Sequence, residues 1–352
     1  MNHELAKAGL DRRGLLRSGS AATLAGLAGI SPMRAIAASV APKSSLIPQD
    51  RISKFGFGVI DSEAVLADKD GSVFGFGSNG IVYRVDPSGA VEHYATLPEG
   101  SVPAGFVKDR SGNFIYCCLG KSALMRLDSE RKVTLFADHA GAVPLASPNF
   151  ASYDCEGNLY CSLTSVKYDF AHIQDMLAST EPTGALVRFR PDGRGELIAS
   201  EIFSANGTAI SPQEDAIYVL ESRLNRCLRI AIRKNGSTGK PEVFSHGFPS
   251  VPDGMAFDAD SRLYVTCVAK RQKNQEALAD LNLKATNQLI RIDTNGEWEL
   301  LVDDKEGKNF TYPTNCAFGG EDMKQLYVAN VRGSHVTRID LGVRGHPLYH
   351  QR

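Results

Sequence analysis

Four side chains with oxygen donors occupy one place in a repeating pattern. Glu63, Asn149, Asn206 and Asp253 each stand five residues ahead of a short polar turn, and Ala104 and Thr314 hold the same place in two further copies. Two carboxylates and two amides, with no His or Cys among them, form a donor set for a hard divalent cation. Ca²⁺ suits it first, with Mg²⁺, Mn²⁺ and Zn²⁺ as alternatives. The carboxylates offset part of the charge, and water completes the shell. A substrate carbonyl that replaces one such water would be polarised for attack. The blander alternative is local, since Asn and Asp often satisfy backbone groups at strand starts. The Ala104 and Thr314 copies argue against it, because a purely structural role should keep one polar type throughout.

The elements that must position these residues are short hairpins. Around Asp253, the stretch 251–257 reads as a strand. Residues 258–261 read as a turn whose Asp and Ser side chains bond their own backbone, and 263–266 as a second, β-rich strand. The second strand recurs at 73–76, 114–117, 159–162, 217–220 and 326–329. A third strand with a central Arg follows each copy: Arg84, Arg126, Arg188, Arg229, Arg291 and Arg338. Several copies add a fourth strand, as at 133–136 and 298–302. Four short antiparallel strands repeated six times, at roughly 40–60 residues, describe an all-β, six-bladed β-propeller. One open sheet of that many strands is excluded, because twisted open sheets rarely exceed about ten. The six aligned positions then converge on the central channel. Pairing of 53–57 with the tail at 345–349 is expected to close the ring. Insertions at 164–184 and 268–287 follow second strands and should rise over the channel mouth. The second, with Leu278, Leu281 and Leu283 spaced along it, reads as helical.

Residues 1–37 are set apart from the fold. Arg12-Arg13, a Gly/Ala-rich apolar stretch and Ala35-Ile36-Ala37 read as a twin-arginine export signal with its cleavage site. The expected order is signal peptide at 1–37, linker at 38–51 and propeller at 52–352. The expected location is the periplasm or outside the cell, with no membrane anchor in the mature form. With 39 basic and 40 acidic residues the net charge is −1, which gives no electrostatic case for nucleic acid or an anionic membrane surface. Seven cysteines lack metal-ribbon spacing and read mostly as small buried apolar residues.

These hairpins, the aligned donors and the runs 318–322, 326–327 and 345–349 resemble the regucalcin/gluconolactonase family of six-bladed propellers. The resemblance covers Ile52 to the C-terminus. It implies a metal-dependent lactonase acting on a small-molecule lactone or ester, most simply as a monomer. The implied metal ligands are Glu63, Asn149 in Ser147-Pro148-Asn149, Asn206 in Ala205-Asn206-Gly207, and Asp253 in Pro252-Asp253-Gly254. Asp253 is also the implied catalytic base. Sugar lactonases of the family often carry Arg where this chain has Ser147. Together with Gly77, Cys118, Leu163 and Cys267 at second-strand ends, this favours a less polar lactone or ester. Ser147, Tyr168, His172, Glu221, Lys270 and Arg271 are the candidate substrate contacts. Two alternatives stay open on the same scaffold: strictosidine-synthase-like, lyase or isomerase chemistry, and a non-catalytic ligand-binding propeller. No G-x-S-x-G elbow is present.

Overall fold

The polar turns determine where the chain reverses. The Asp258 carboxylate accepts the backbone N–H groups of Asp260 (3.0 Å) and Arg262 (2.9 Å), so the strand ending at Phe257 must fold back. Asp109 and Asp154 take the N–H of Asn113 and Asn158 in the same way, each at 2.9 Å. In the fourth copy Ser211 Oγ serves instead, accepting from Asp215 and Ala216. Each turn feeds a second strand that is almost wholly buried. Leu263–Ala269 is buried along its whole length. Its Tyr264 is fully buried, and the hydroxyl returns to the Asp258 carboxylate at 3.3 Å. Burying such a ring contributes about 2–3 kcal/mol, and the hydroxyl is paired rather than stranded.

The computed structural model describes residues 43–270 and 284–352. The leader at 1–37, the stretch with Leu278, Leu281 and Leu283, and Arg271 lie outside them. Within the described residues the chain is a six-bladed β-propeller with four antiparallel strands per blade. The six first strands are Ser62–Ala67, Pro103–Lys108, Ser147–Tyr153, Ala205–Ile210, Pro252–Phe257 and Pro313–Gly319. Each packs on the next, and the last packs on the first. Apolar clusters fill the wedges between blades, with Phe76, Phe106, Phe114 and Tyr116 in one of them. Third-strand Arg residues stitch blade exteriors: Arg188 pairs with Glu196 at 2.8 Å and Arg229 with Asp215 at 3.2 Å. Lys43–Ser44, in the stretch read as a linker, lies parallel to Trp298–Asp303 as a fifth strand of blade five. All seven cysteines are free, and six are buried. No helix of the described residues is long and apolar enough to cross a membrane.

Ring closure differs from the expected pairing. Ile52–Phe55 runs antiparallel to Val336–Asp340, with Ile52 opposite Ile339 and Phe55 opposite Val336. The open edge of blade six is thus completed by the segment that enters blade one. The tail at 345–349 contains Pro347 and cannot sustain a ladder. It crosses the channel end where the first strands finish. Gly345 bridges Asp258, Tyr349 stacks on Tyr153 with centroids 4.8 Å apart, and Gln351 donates to the Ala67 carbonyl at 2.8 Å. A chamber of about 80 Å³ lies between the tail and the first strands.

Candidate functional site

In all six blades the ladder between first and second strands loses register at the aligned position. The shifts fall between Ser62 and Val65, Pro103 and Phe106, Pro148 and Phe150, Ala205 and Thr208, Pro252 and Met255, and Pro313 and Cys316. A bulge inserts an unpaired residue and re-aims its side chain. Here it turns the donors away from the regular alternation and into the channel. Glu63, Asn149, Asn206, Asp253 and Thr314 line one small cavity of about 10 Å³, the space of a single water-sized sphere. Blade two contributes Gly105 to the lining, while Ala104 is packed into the apolar cluster between blades two and three.

Close approach of the first strands depends on small residues. A Cβ on Gly207 would stand 2.5 Å from the Asp253 carbonyl oxygen, and one on Gly254 would stand 2.3 Å from the Asn315 amide. Hydroxyls from neighbouring segments hold the backbone at the donors. Thr314 Oγ1 donates to the Glu63 carbonyl (2.6 Å), Ser222 Oγ to that of Pro252 (2.6 Å), and Thr164 Oγ1 to that of Ala205 (3.1 Å).

The electrostatics of the cavity call for positive charge. No Lys, Arg or His is among the described residues lining it. Burial pushes the Glu63 carboxyl up to about 7. Burial, and then the charge of Glu63, push Asp253 well above the carboxylate range, while a side-chain hydrogen bond from Asn206 pulls it part of the way back. Two carboxyls in this position repel each other until a cation or a proton joins them. No group of three or more His, Cys, Asp or Glu capable of holding a metal occurs among the described residues. The donor set here is two carboxyls supplemented by amide oxygens, a composition that fits a hard cation with water in its shell. Asn315, 2% exposed, borders both this cavity and the chamber beneath it, and neither polar atom of its side chain has a protein partner. An orphaned buried amide there suits a hydrated site.

The remaining candidates are dispersed. Ser147 is buried and donates to the Tyr168 carbonyl at 2.6 Å, anchoring the blade-three insertion rather than facing the cavity. Glu221 is 1% exposed; it pairs with Arg226 and accepts the Phe203 N–H at 2.7 Å, so its carboxylate is a structural anchor. The blade-three insertion carries the short helix Ile173–Ala178, pinned to blade four by Arg223, which donates to the Leu177 carbonyl at 2.8 Å. On it, Tyr168 is half-buried, and the exposed His172 bonds Asp169 at 2.7 Å. Lys270 is exposed at the end of the described part of blade five, and Arg271 lies outside the described residues. Asn315 and Tyr312 were not singled out by sequence reasoning. Their signal is the Tyr312-Pro313-Thr314-Asn315 run, which aligns with Val251-Pro252-Asp253-Gly254.

Comparison with known proteins agrees with this architecture. A protein from Arabidopsis thaliana, strictosidine synthase-like 4, is 25% identical over 254 residues, covering 69% of this chain and 68% of its own length. A gluconolactonase of Zymomonas mobilis is 25% identical over 203 residues, 53% of this chain and 55% of its own. Among solved structures, a calcium-binding regucalcin of Agrobacterium tumefaciens superposes with a TM-score of 0.62 at 19% identity, covering 83% of this chain and 94% of that one. The family model described as the SMP-30/gluconolactonase/LRE-like region matches residues 78–332. With that match spanning most of a propeller whose aligned donors share one cavity, the chain belongs to the SMP-30/gluconolactonase/LRE-like family.

Proposed function

We propose that this chain is a metal-dependent lactonase in which Glu63, Asn149, Asn206 and Asp253 hold one divalent cation, Ca²⁺ first. The observation that carries the reading is the convergence of these four side chains on one cavity, lined by no Lys, Arg or His among the described residues, whose two carboxyls are both pushed up. When bound, a divalent cation supplies a Lewis acid for the lactone carbonyl and for the charge that develops on its oxygen. The chain's own residues do the rest. Asn206 orients the Asp253 carboxylate through their hydrogen bond. Asp253 accepts a proton from the attacking water as the water oxygen bonds to the carbonyl carbon. The ring C–O bond then breaks, and the proton passes to the departing alkoxide, leaving a hydroxy acid. Ser147 supports a substrate without the hydroxyls of a sugar, because its own hydroxyl is spent on Tyr168.

The test is a lactone panel assayed before and after chelation. Activity on a less polar lactone should vanish with chelator, return with Ca²⁺, and fall at least about 100-fold in Asp253→Asn. Turnover untouched by both treatments overturns the metal mechanism. The strictosidine synthase-like relative carries the second reading, a related non-lactonase reaction on the same scaffold; cation binding without opening of any lactone would favour it. Export by the Arg12-Arg13 leader is part of the proposal. Fractionation of cells expressing the full chain, with and without the paired substitutions Arg12→Lys and Arg13→Lys, checks it; the doubly substituted chain should stay in the cytoplasm.

A further inference from the structure

The cation well has a floor that the proposed mechanism does not use. One residue past the aligned positions, the six blades carry Ala64, Gly105, Phe150, Gly207, Gly254 and Asn315. Only Phe150 and Asn315 have side chains of any length there, and glycine makes the room for both. A Cβ on Gly105 would run into the Phe150 ring, and one on Gly254 into the Asn315 amide. Asn315 lies in the register shift between Pro313 and Cys316, the same shift that turns Thr314 to the well. Among the described residues lining the well and the chamber of about 80 Å³ at the tail end, Phe150 and Asn315 alone border both. They therefore stand on the side of the donors away from the channel mouth. Phe150 brings no polar side-chain atom. Asn315 is 2% exposed, and neither its Oδ1 nor its Nδ2 has a protein partner. The hydroxyls nearest in sequence to this floor are spent on backbone: Thr314 Oγ1 donates to the Glu63 carbonyl at 2.6 Å, and Ser152 Oγ to that of Thr208 at 2.7 Å.

We propose that Asn315 is a fifth protein donor to the cation, its amide oxygen closing the inner side of the shell and its N–H₂ turned to water in the chamber, and that this donor sets a preference for Ca²⁺ over Mg²⁺. The inference rests on the cation site proposed above and completes it. A buried amide with donor and acceptor both unpaired is costly, so its place there calls for an occupant. Ca²⁺ takes about six to eight oxygens, amide oxygens among them, which is more than four side chains supply with one oxygen each. Substrate carbonyl and water approach from the mouth, whereas the inner side is bordered by Phe150 and Asn315. Mg²⁺ keeps several of its waters in a tight octahedral shell and leans on one or two carboxylates, so a further amide oxygen matters less to it. The chamber exceeds the roughly 10–15 Å³ that one water requires, which gives the amide N–H₂ a partner on that side.

The experiment is a calorimetric titration of the metal-stripped full chain with Ca²⁺ and, separately, with Mg²⁺. In N315L, which is close to Asn in shape and lacks its polar atoms, Ca²⁺ affinity should fall at least about tenfold while Mg²⁺ affinity changes by less than about threefold, so the Ca²⁺ preference shrinks. The Tm of metal-free N315L should equal or exceed that of the wild type, because the substitution removes an unpaired amide; a residue needed only for packing would not combine that with weaker Ca²⁺ binding. N315D, which keeps the oxygen and loses the N–H₂, should retain Ca²⁺ binding. If N315L does not fold, N315A is read by the same affinity criteria. Unchanged Ca²⁺ affinity on removal of the amide, an equal loss for both cations, or loss of Ca²⁺ binding in N315D overturns the proposal. D253N separates the two levels of the argument. If D253N loses Ca²⁺ and N315L does not, the fifth donor fails alone. If the wild type binds no Ca²⁺, or D253N binds it as the wild type does, the cation site itself has failed and the fifth donor falls with it.

Discussion

Asp253 and Glu63 owe their character to burial more than to any partner. A carboxyl raised above its unfolded value favours folding at low pH, and loses that contribution as the pH climbs through the folded value. For Glu63 the window runs from 4.5 to about 7, and Asp253, raised by burial and then by the charge of Glu63, acts in the same direction. The cation-free fold is therefore penalised at neutral and alkaline pH, and a bound cation removes the penalty. The increase in Tm produced by Ca²⁺ should be larger at pH 8 than at pH 5, measured by scanning calorimetry on metal-stripped protein. Equal increases at both pH values would place the cation elsewhere. Asn206 has a side-chain hydrogen bond to Asp253, and in the proposed site its amide oxygen would also serve the cation.

At the scale of the element, the bulge at each first-strand start is the aiming device, and glycine lets the next strand come near enough to share the cavity. Gly207→Ala tests this. The new Cβ would meet the Asp253 carbonyl oxygen at 2.5 Å and the Gly254 Cα at 2.9 Å, both of them backbone, so the strands must separate. The expected cost is about 1–3 kcal/mol in urea unfolding, together with weaker Ca²⁺ binding in calorimetry. Loss of stability with unchanged affinity would show that strand spacing does not set the donor geometry. The blade-three insertion belongs to the same scale. Ser147 and Arg223 spend their polar groups on its carbonyls, which fixes Ile173–Ala178 in place and leaves neither side chain for a ligand.

Across the whole molecule, the ring is locked at its edge and at its floor. Ile52–Phe55 completes blade six. The tail bonds or stacks with every blade: Ala67, Arg110, Tyr153, Glu214, Phe257 and Met323. Within it, burial lowers His350 and His346 to about 4, so both are neutral in the fold. Lys108 and Lys69 oppose charge on His350 while Asp68 favours it; Arg352 opposes charge on His346 while Glu214 favours it. A depressed histidine contributes stability above its unfolded value near 6.5 and loses it as the pH falls towards 4. In Ca²⁺-loaded protein, where the carboxyls of the proposed site are held ionised, Tm should therefore drop between pH 6.5 and 4. A chain ending at Gly345 should be less stable at pH 7 and show a shallower acid drop. A truncated chain with the same acid slope would remove the tail from that account.

The six hairpins, their polar turns and the aligned donors were legible without coordinates, because strand alternation, Asx turns and an internal repeat are local properties of the chain. The convergence of Glu63, Asn149, Asn206 and Asp253 followed from repeat symmetry alone. The tertiary structure decided which side chains actually face the axis. Ala104 and Ser147 hold aligned or adjacent positions, yet the one packs into a wedge and the other bonds a carbonyl on an insertion. Glu221 ends its strand at the right height, but Arg226 takes its charge. The closing segment was expected at 53–57, but its partner was misplaced at 345–349, because only the assembled ring shows which sheet edge that segment reaches. Asn315 gains its meaning from neighbours in other blades. Orientation and partnership depend on register shifts and inter-blade contacts, which a one-dimensional pattern does not carry.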